Sequence, residues 1–160
     1  MEIKIELEFT ESYYREYYSE WLTYRSRKKY QPVGAFLLIV FAFSISFFTN
    51  SALGDLVGGI FSIFGIYELF DFYYSKRKWL SDRRKSKMFG RKATLKFKDD
   101  KIEHESPFSE GKSNWEGMIN FKNTPNGIFL IPDVGMSIYI PNSKFNPPES
   151  KEILIQKLSD

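Results

Sequence analysis

The stretch YQPVGAFLLIVFAFSISFFTNSALGDLVGGIFSIFGIY, residues Tyr30 to Tyr67, decides how the rest of the chain is read. Its thirty-eight residues hold one charge, Asp55, in a chain that is 27% charged overall. A hydrocarbon core about 30 Å thick needs about 20 helical residues to cross it, so the stretch is too long for one span and suits two. Asn50, Ser51, Gly54 and Asp55 supply turn formers near its middle. This predicts one helix over Val33 to Thr49 and a second from near Leu56, a two-helix transmembrane hairpin. The first carries eleven Leu, Ile, Val or Phe residues, for which insertion scales give roughly −3 to −7 kcal/mol.

The second helix has ten such residues between Leu56 and Phe72 but also Glu68 and Asp71. A carboxylate at the bilayer centre costs about 2.5 to 3.5 kcal/mol, so both acids are expected near the inner edge, beside a belt of Tyr73, Tyr74 and Trp79. Only about 18 Å of helix separates Glu68 from Asp55. An acid at that depth is a candidate for a proton or cation path, or for pairing with a nearby Lys or Arg. Gly54, Gly58 and Ser62 form a ladder of small residues on the second helix, with Ala42 and Ser46 on the first. Small residues let helices approach closely in lipid, either within the hairpin or across a homodimer seam.

Orientation comes from the flanks. Arg25, Arg27, Lys28 and Lys29 precede the first helix, and Lys76, Arg77, Lys78, Arg83, Arg84, Lys85 and Lys87 follow the second, while the turn between has neither Lys nor Arg. The positive-inside bias then puts both termini in the cytoplasm. The charged segment ahead of the apolar run argues against a cleaved signal peptide. The cations read as anchors to anionic headgroups of the inner leaflet, about 1 kcal/mol each, and not as a nucleic-acid surface. The chain of 160 residues leaves room for one small soluble domain besides the hairpin. It has no cysteine and a single histidine, His104, so thiol catalysis and cysteine zinc sites are excluded. Neither a Gly-rich phosphate loop nor a cofactor motif is present.

Outside the hairpin the patterning is αβ. Ile3, Ile5, Leu7 and Phe9 alternate with acids and Lys4, which is the signature of a half-buried strand. Thr10 is placed to cap a helix running to about Lys29, whose aromatic face of Tyr13, Tyr17, Trp21 and Tyr24 would lie at headgroup level or pack on the soluble domain. After the second span, a helix is expected to about Met88, ended by Gly90. Then come short turn-separated strands around Leu95–Phe97, Ile102–Ser106, Trp115–Phe121, Ile128–Ile131 and Met136–Ile140, with Pro107 to Ser113 as loop. A final helix over about Glu149 to Leu158 carries Ile153, Leu154 and Leu158. The strand over 2–9 lacks a local partner and should join the later sheet. The organisation expected is therefore an N-terminal strand and helix (1–30), the hairpin (31–75), a basic linker (76–92) and a small β domain (93–160).

This layout resembles the YcxB-like family of bacterial membrane proteins. The residues that carry the resemblance are the turn-bounded pair from Asp99 to Glu105, Trp115 with Ile119, and Ile138, Tyr139, Ile140 and Pro141 followed by Phe145. The chain departs from the family at Lys101, where Gly is common, and at Asn142 and Ser143, where basic residues are usual. The resemblance implies a pleckstrin-homology-like (PH-like) β domain closed by a C-terminal helix, on the inner membrane, and defines no activity. The function expected is a membrane-anchored interaction module, not an enzyme, that binds a protein segment or a lipid headgroup. The alternatives are an oligomeric channel or transporter component and an accessory, immunity-type subunit of a membrane complex.

Overall fold

In a computed structural model of the chain, residues 2–133 and 135–159 are described, apart from the side chain of Ile119, so the part of the expected signature resting on Ile119 lies outside the described residues. The element order is β1 (Ile3–Glu8), α1 (Glu11–Tyr24), α2 (Gln31–Thr49), α3 (Ala52–Lys85), β2 (Lys92–Phe97), β3 (Lys101–Ser106), β4 (Ser109–Asn114), β5 (Met118–Asn123), β6 (Gly127–Pro132), β7 (Ile138–Pro141) and α4 (Ser150–Ser159). The class is α+β, with two antiparallel sheets ordered β1-β2-β3-β4 and β5-β6-β7. The chain divides into two units, residues 1–20 with 83–160, and residues 21–82.

In the first unit, alternation in β1 becomes burial. Ile3, Ile5 and Leu7 turn inward and pair across β2 with Phe97, Leu95 and Ala93. Phe97 in turn faces Ile102 of β3. β6 is buried along four consecutive residues, Gly127 to Leu130, because both of its faces are covered. Phe129 meets Tyr139 of β7 at 4.8 Å between ring centres and Tyr17 of α1 at 5.4 Å. Tyr13 donates its hydroxyl to the Tyr139 carbonyl at 2.9 Å. The aromatic face of α1 in this unit packs on the second sheet, with Tyr13, Tyr14 and Tyr18 under 10% exposed at 7%, 8% and 4%. Thr10 caps this helix as its position predicts, accepting from the Tyr13 N–H at 3.3 Å.

Several boundaries differ from the sequence expectation. The region Pro107 to Ser113 is largely strand. Ser106 and Ser109 bond to each other's side chain and backbone around a tight turn, and the all-polar β4 is held by its backbone ladder to β3, which hydropathy does not register. Trp115 does not open a strand but sits in a single 3-10 turn, Trp115–Gly117, because its indole N–H reaches back to the Lys98 carbonyl at 3.0 Å. α1 stops at Tyr24 and α3 at Lys85, short of Lys29 and Met88. Gly90 takes the left-handed conformation, φ +72°. In α4, Leu154 is fully buried while Ile153 is 48% exposed, so the apolar stripe is narrower than expected.

The second unit is an antiparallel helix pair with a two-residue turn. Asn50 closes α2 in the left-handed conformation, φ 41°, its N–H bonded to the Ser46 carbonyl. Ser51 opens α3 by accepting the Gly54 N–H at 3.1 Å. Gly54 and Asp55, expected in the turn, are thus the first turn of α3, where the helix dipole favours the Asp55 charge. α2 alone has 19 residues, about 28 Å of helix. Two helices, Arg27–Thr49 and Ala52–Lys85, are long and apolar enough to cross a membrane.

Candidate functional site

The helix pair meets along its small residues. A side chain added at Gly58 would fall 2.7 Å from the Ala42 carbonyl oxygen and onto the Ser46 hydroxyl; one at Gly65 would fall 2.9 Å from the Ala35 carbonyl oxygen. Seven residues back along α2 matches seven residues on along α3, the repeat of a close antiparallel pair. Ala35 and Ala42 are each 1% exposed, and Ser62 is half-buried. Gly65 was not singled out in the sequence, although its spacing from Gly58 would have found it. Gly59, by contrast, faces open space.

With the small residues turned inward, the large ones turn out. Phe36, Leu37, Phe43, Phe47, Phe48 and Ile63 are 60–82% exposed. Only 11% and 17% of the two apolar windows are buried. In the core helix of a water-soluble protein the large apolar groups would be covered.

A polar cluster closes the end of the pair away from Asn50. Gln31, at the start of α2, donates from its amide nitrogen to Glu68 at 2.6 Å and to Asp71 at 3.2 Å. Lys28 approaches the same Asp71 oxygen at 3.6 Å, and Ser75 donates to the other at 3.3 Å. The Gln31 carbonyl oxygen is buried without a partner among the described residues. Glu68 and Asp71 are therefore brought together by a neutral amide and one ammonium, so the acids carry their own donors and the group fastens α2 to α3. Gln31, Lys28 and Ser75 were not assigned to this role by sequence, because polar residues bordering an apolar run carry no distinctive spacing.

The basic run is split. Lys76, Arg77 and Lys78 belong to the helical unit and are exposed. In the other unit, Arg84 pairs with Glu11 at 2.5 Å, Arg15 and then Arg84 hold that carboxyl below its ordinary range, and Arg83 reaches the Met136 sulfur at 3.6 Å. Lys85 and Lys87 are exposed.

In the first unit, the signature residues pack. Ile140 is fully buried and Phe145 5% exposed; Pro141 ends β7; the Trp115 ring lies 6.0 Å from Phe97 and under the Lys157 ammonium of α4. His104 lies over Gly111, where any side chain would strike the imidazole. Among the described residues, no three His, Cys, Asp or Glu groups converge as a metal site. The outer face of the first sheet is a self-neutralised lattice: Glu103 takes Lys98 at 2.7 Å and Lys101 at 3.7 Å, and Lys98 holds the Glu103 carboxyl below its ordinary range.

A recess of about 450 Å³ is lined by Glu16, Asn126, Asn142 and Ser143. Tyr139 donates its hydroxyl to Glu16 at 2.7 Å, and Asn126 donates to Glu20 at 2.7 Å. Burial and the Glu16 charge push the Tyr139 phenol well above its usual range.

Comparison with family models, curated proteins and solved structures returns no match to this chain.

Proposed function

We propose that this chain is a two-pass membrane protein whose hairpin anchors a small PH-like interaction module at the cytoplasmic face of a bacterial inner membrane. The observation that carries the reading is the inversion of α2 and α3, with small residues in the seam and large apolar residues exposed around it. Lipid is the solvent that such a surface suits. The absence of Lys and Arg from the turn, against the cations on both flanks, supports both ends lying inside. Seven antiparallel strands followed by α4 support the PH-like reading and, with it, kinship to the YcxB-like family.

The module's role in this proposal is to bind a protein segment or lipid headgroup, with Lys76, Arg77, Lys78, Lys85 and Lys87 drawn to anionic lipid. It includes no catalytic step and no cofactor. Transport through a path at Glu68 is disfavoured by the amide already bound to that acid. Extraction of membranes from expressing cells with alkaline carbonate tests the reading. The chain is expected to stay in the pellet and to float with liposomes; release into the supernatant without detergent would refute it.

A further inference from the structure

We propose that the recess lined by Glu16, Asn126, Asn142 and Ser143 binds the guanidinium of an arginine side chain on a partner polypeptide. This rests on reading the soluble unit as an interaction module and names the chemistry of its partner.

Four observations within the unit point the same way. First, Glu16 and Glu20 stand one turn apart on α1, on the same face, where like charges repel. Neither has an ion pair among the described residues, although cations are plentiful in the chain. Second, Glu20, which lies behind the recess and reaches it through Asn126, is only 5% exposed, and its Oε2 has no hydrogen-bond partner among the described residues. A buried carboxylate oxygen left so is costly unless an opposite charge approaches. Third, the amide nitrogens are taken up within the chain, Asn126 by Glu20 and Asn142 by the Pro125 carbonyl, each at 2.7 Å. Among the described residues no hydrogen bond to either Oδ1 is found, so the recess presents acceptors. Fourth, the Tyr139 hydroxyl occupies Glu16 Oε1, and among the described residues no hydrogen bond to the other oxygen is found.

An acceptor-lined recess with acids behind it selects a cation with several donors. A guanidinium carries five N–H groups in one plane and is weakly hydrated, so it can serve several spread acceptors at once. A hard metal ion favours clustered carboxylates, and among the described residues no three His, Cys, Asp or Glu groups converge. A phosphoethanolamine headgroup would bring a phosphate towards the two glutamates. The exposed Asn142 and Ser143 leave the recess open to a side chain entering from solvent.

The test uses the full chain in maltoside micelles, with ¹⁵N-asparagine labelling to follow the side-chain amides of Asn126 and Asn142. Probes are the capped tripeptide Gly-Arg-Gly, its neutral citrulline analogue, phosphoethanolamine and calcium chloride. The arginine peptide is expected to shift both amides saturably, with citrulline at least tenfold weaker. Ser143→Lys, at an exposed position, should place a competing ammonium in the recess and weaken binding at least tenfold; Glu16→Gln should do the same. Equal shifts with citrulline, no shifts at these amides, stronger binding of calcium or phosphoethanolamine, or full binding by both variants would overturn the proposal. Saturable binding mapped elsewhere on the soluble unit would overturn the recess while sparing the interaction-module reading, and carbonate extraction reports on the anchor independently.

Discussion

Gly58 and Gly59 are adjacent in sequence and opposite in consequence. A leucine at 58 must displace the Ala42 backbone, and overpacking of this kind costs about 1–3 kcal/mol or more. A Cβ at 59 meets nothing within 4 Å, and Gly59→Leu removes a glycine from a helix interior, worth about 1 kcal/mol in the opposite direction. Unfolding of the detergent-solubilised protein in graded SDS should show Gly58→Leu markedly weakened and Gly59→Leu unchanged or strengthened; equal effects would mean that the seam is not where it is described. Gln31→Leu removes the donor shared by Glu68 and Asp71, a loss of about 1–3 kcal/mol readable by the same titration. Glu103 supplies a pH dependence. Its folded carboxyl is held by Lys98 below the ordinary value of 4.5. Its contribution to stability is therefore present above that value and fades as pH falls below it and through the folded value. An NMR titration of Glu103 should give a midpoint under 4.5, moving upward in Lys98→Ala.

Among the elements, legibility followed the physical signal. β1 shows in the sequence because one face is apolar and the other charged, and the two hairpin helices because each holds a long apolar window. β4 is hidden: Ser109 to Asn114 contains no apolar residue, and only the ladder to β3 makes it a strand. Trp115 misleads in the other direction, since an aromatic after polar residues reads as a strand start while its indole is tied back to Lys98. This tie, with the Phe97 contact and the Lys157 ammonium of α4, makes Trp115 the fastening of the first sheet. Trp115→Phe leaves one aromatic ring but deletes the N–H together with the pyrrole half of the indole, so urea unfolding of the first unit should lose at least about 0.5–1.5 kcal/mol; no change would remove that bond from the account. The Gln31 cluster and the recess at Glu16 were illegible for a shared reason. Each gathers polar residues far apart in sequence, such as Glu16 with Asn126 and Asn142, with no local spacing to announce them.

For the whole molecule, the strands that precede and follow residues 21–82, β1 and β2, pair in one sheet, and residues 21–82 form the intervening unit. Under the proposed topology, that unit passes through the bilayer and returns, leaving the soluble unit's strands in one compartment and the Asn50–Ser51 turn in the other. The chain contains no cysteine, so single-cysteine variants report on sidedness without background. The direct measurement is labelling of Ser51→Cys and Lys122→Cys, both at exposed positions, by a membrane-impermeant maleimide in intact and in permeabilised cells. The account predicts that Ser51→Cys is labelled in intact cells and Lys122→Cys only after permeabilisation. Labelling of Lys122→Cys in intact cells, or protection of Ser51→Cys until permeabilisation, would contradict it.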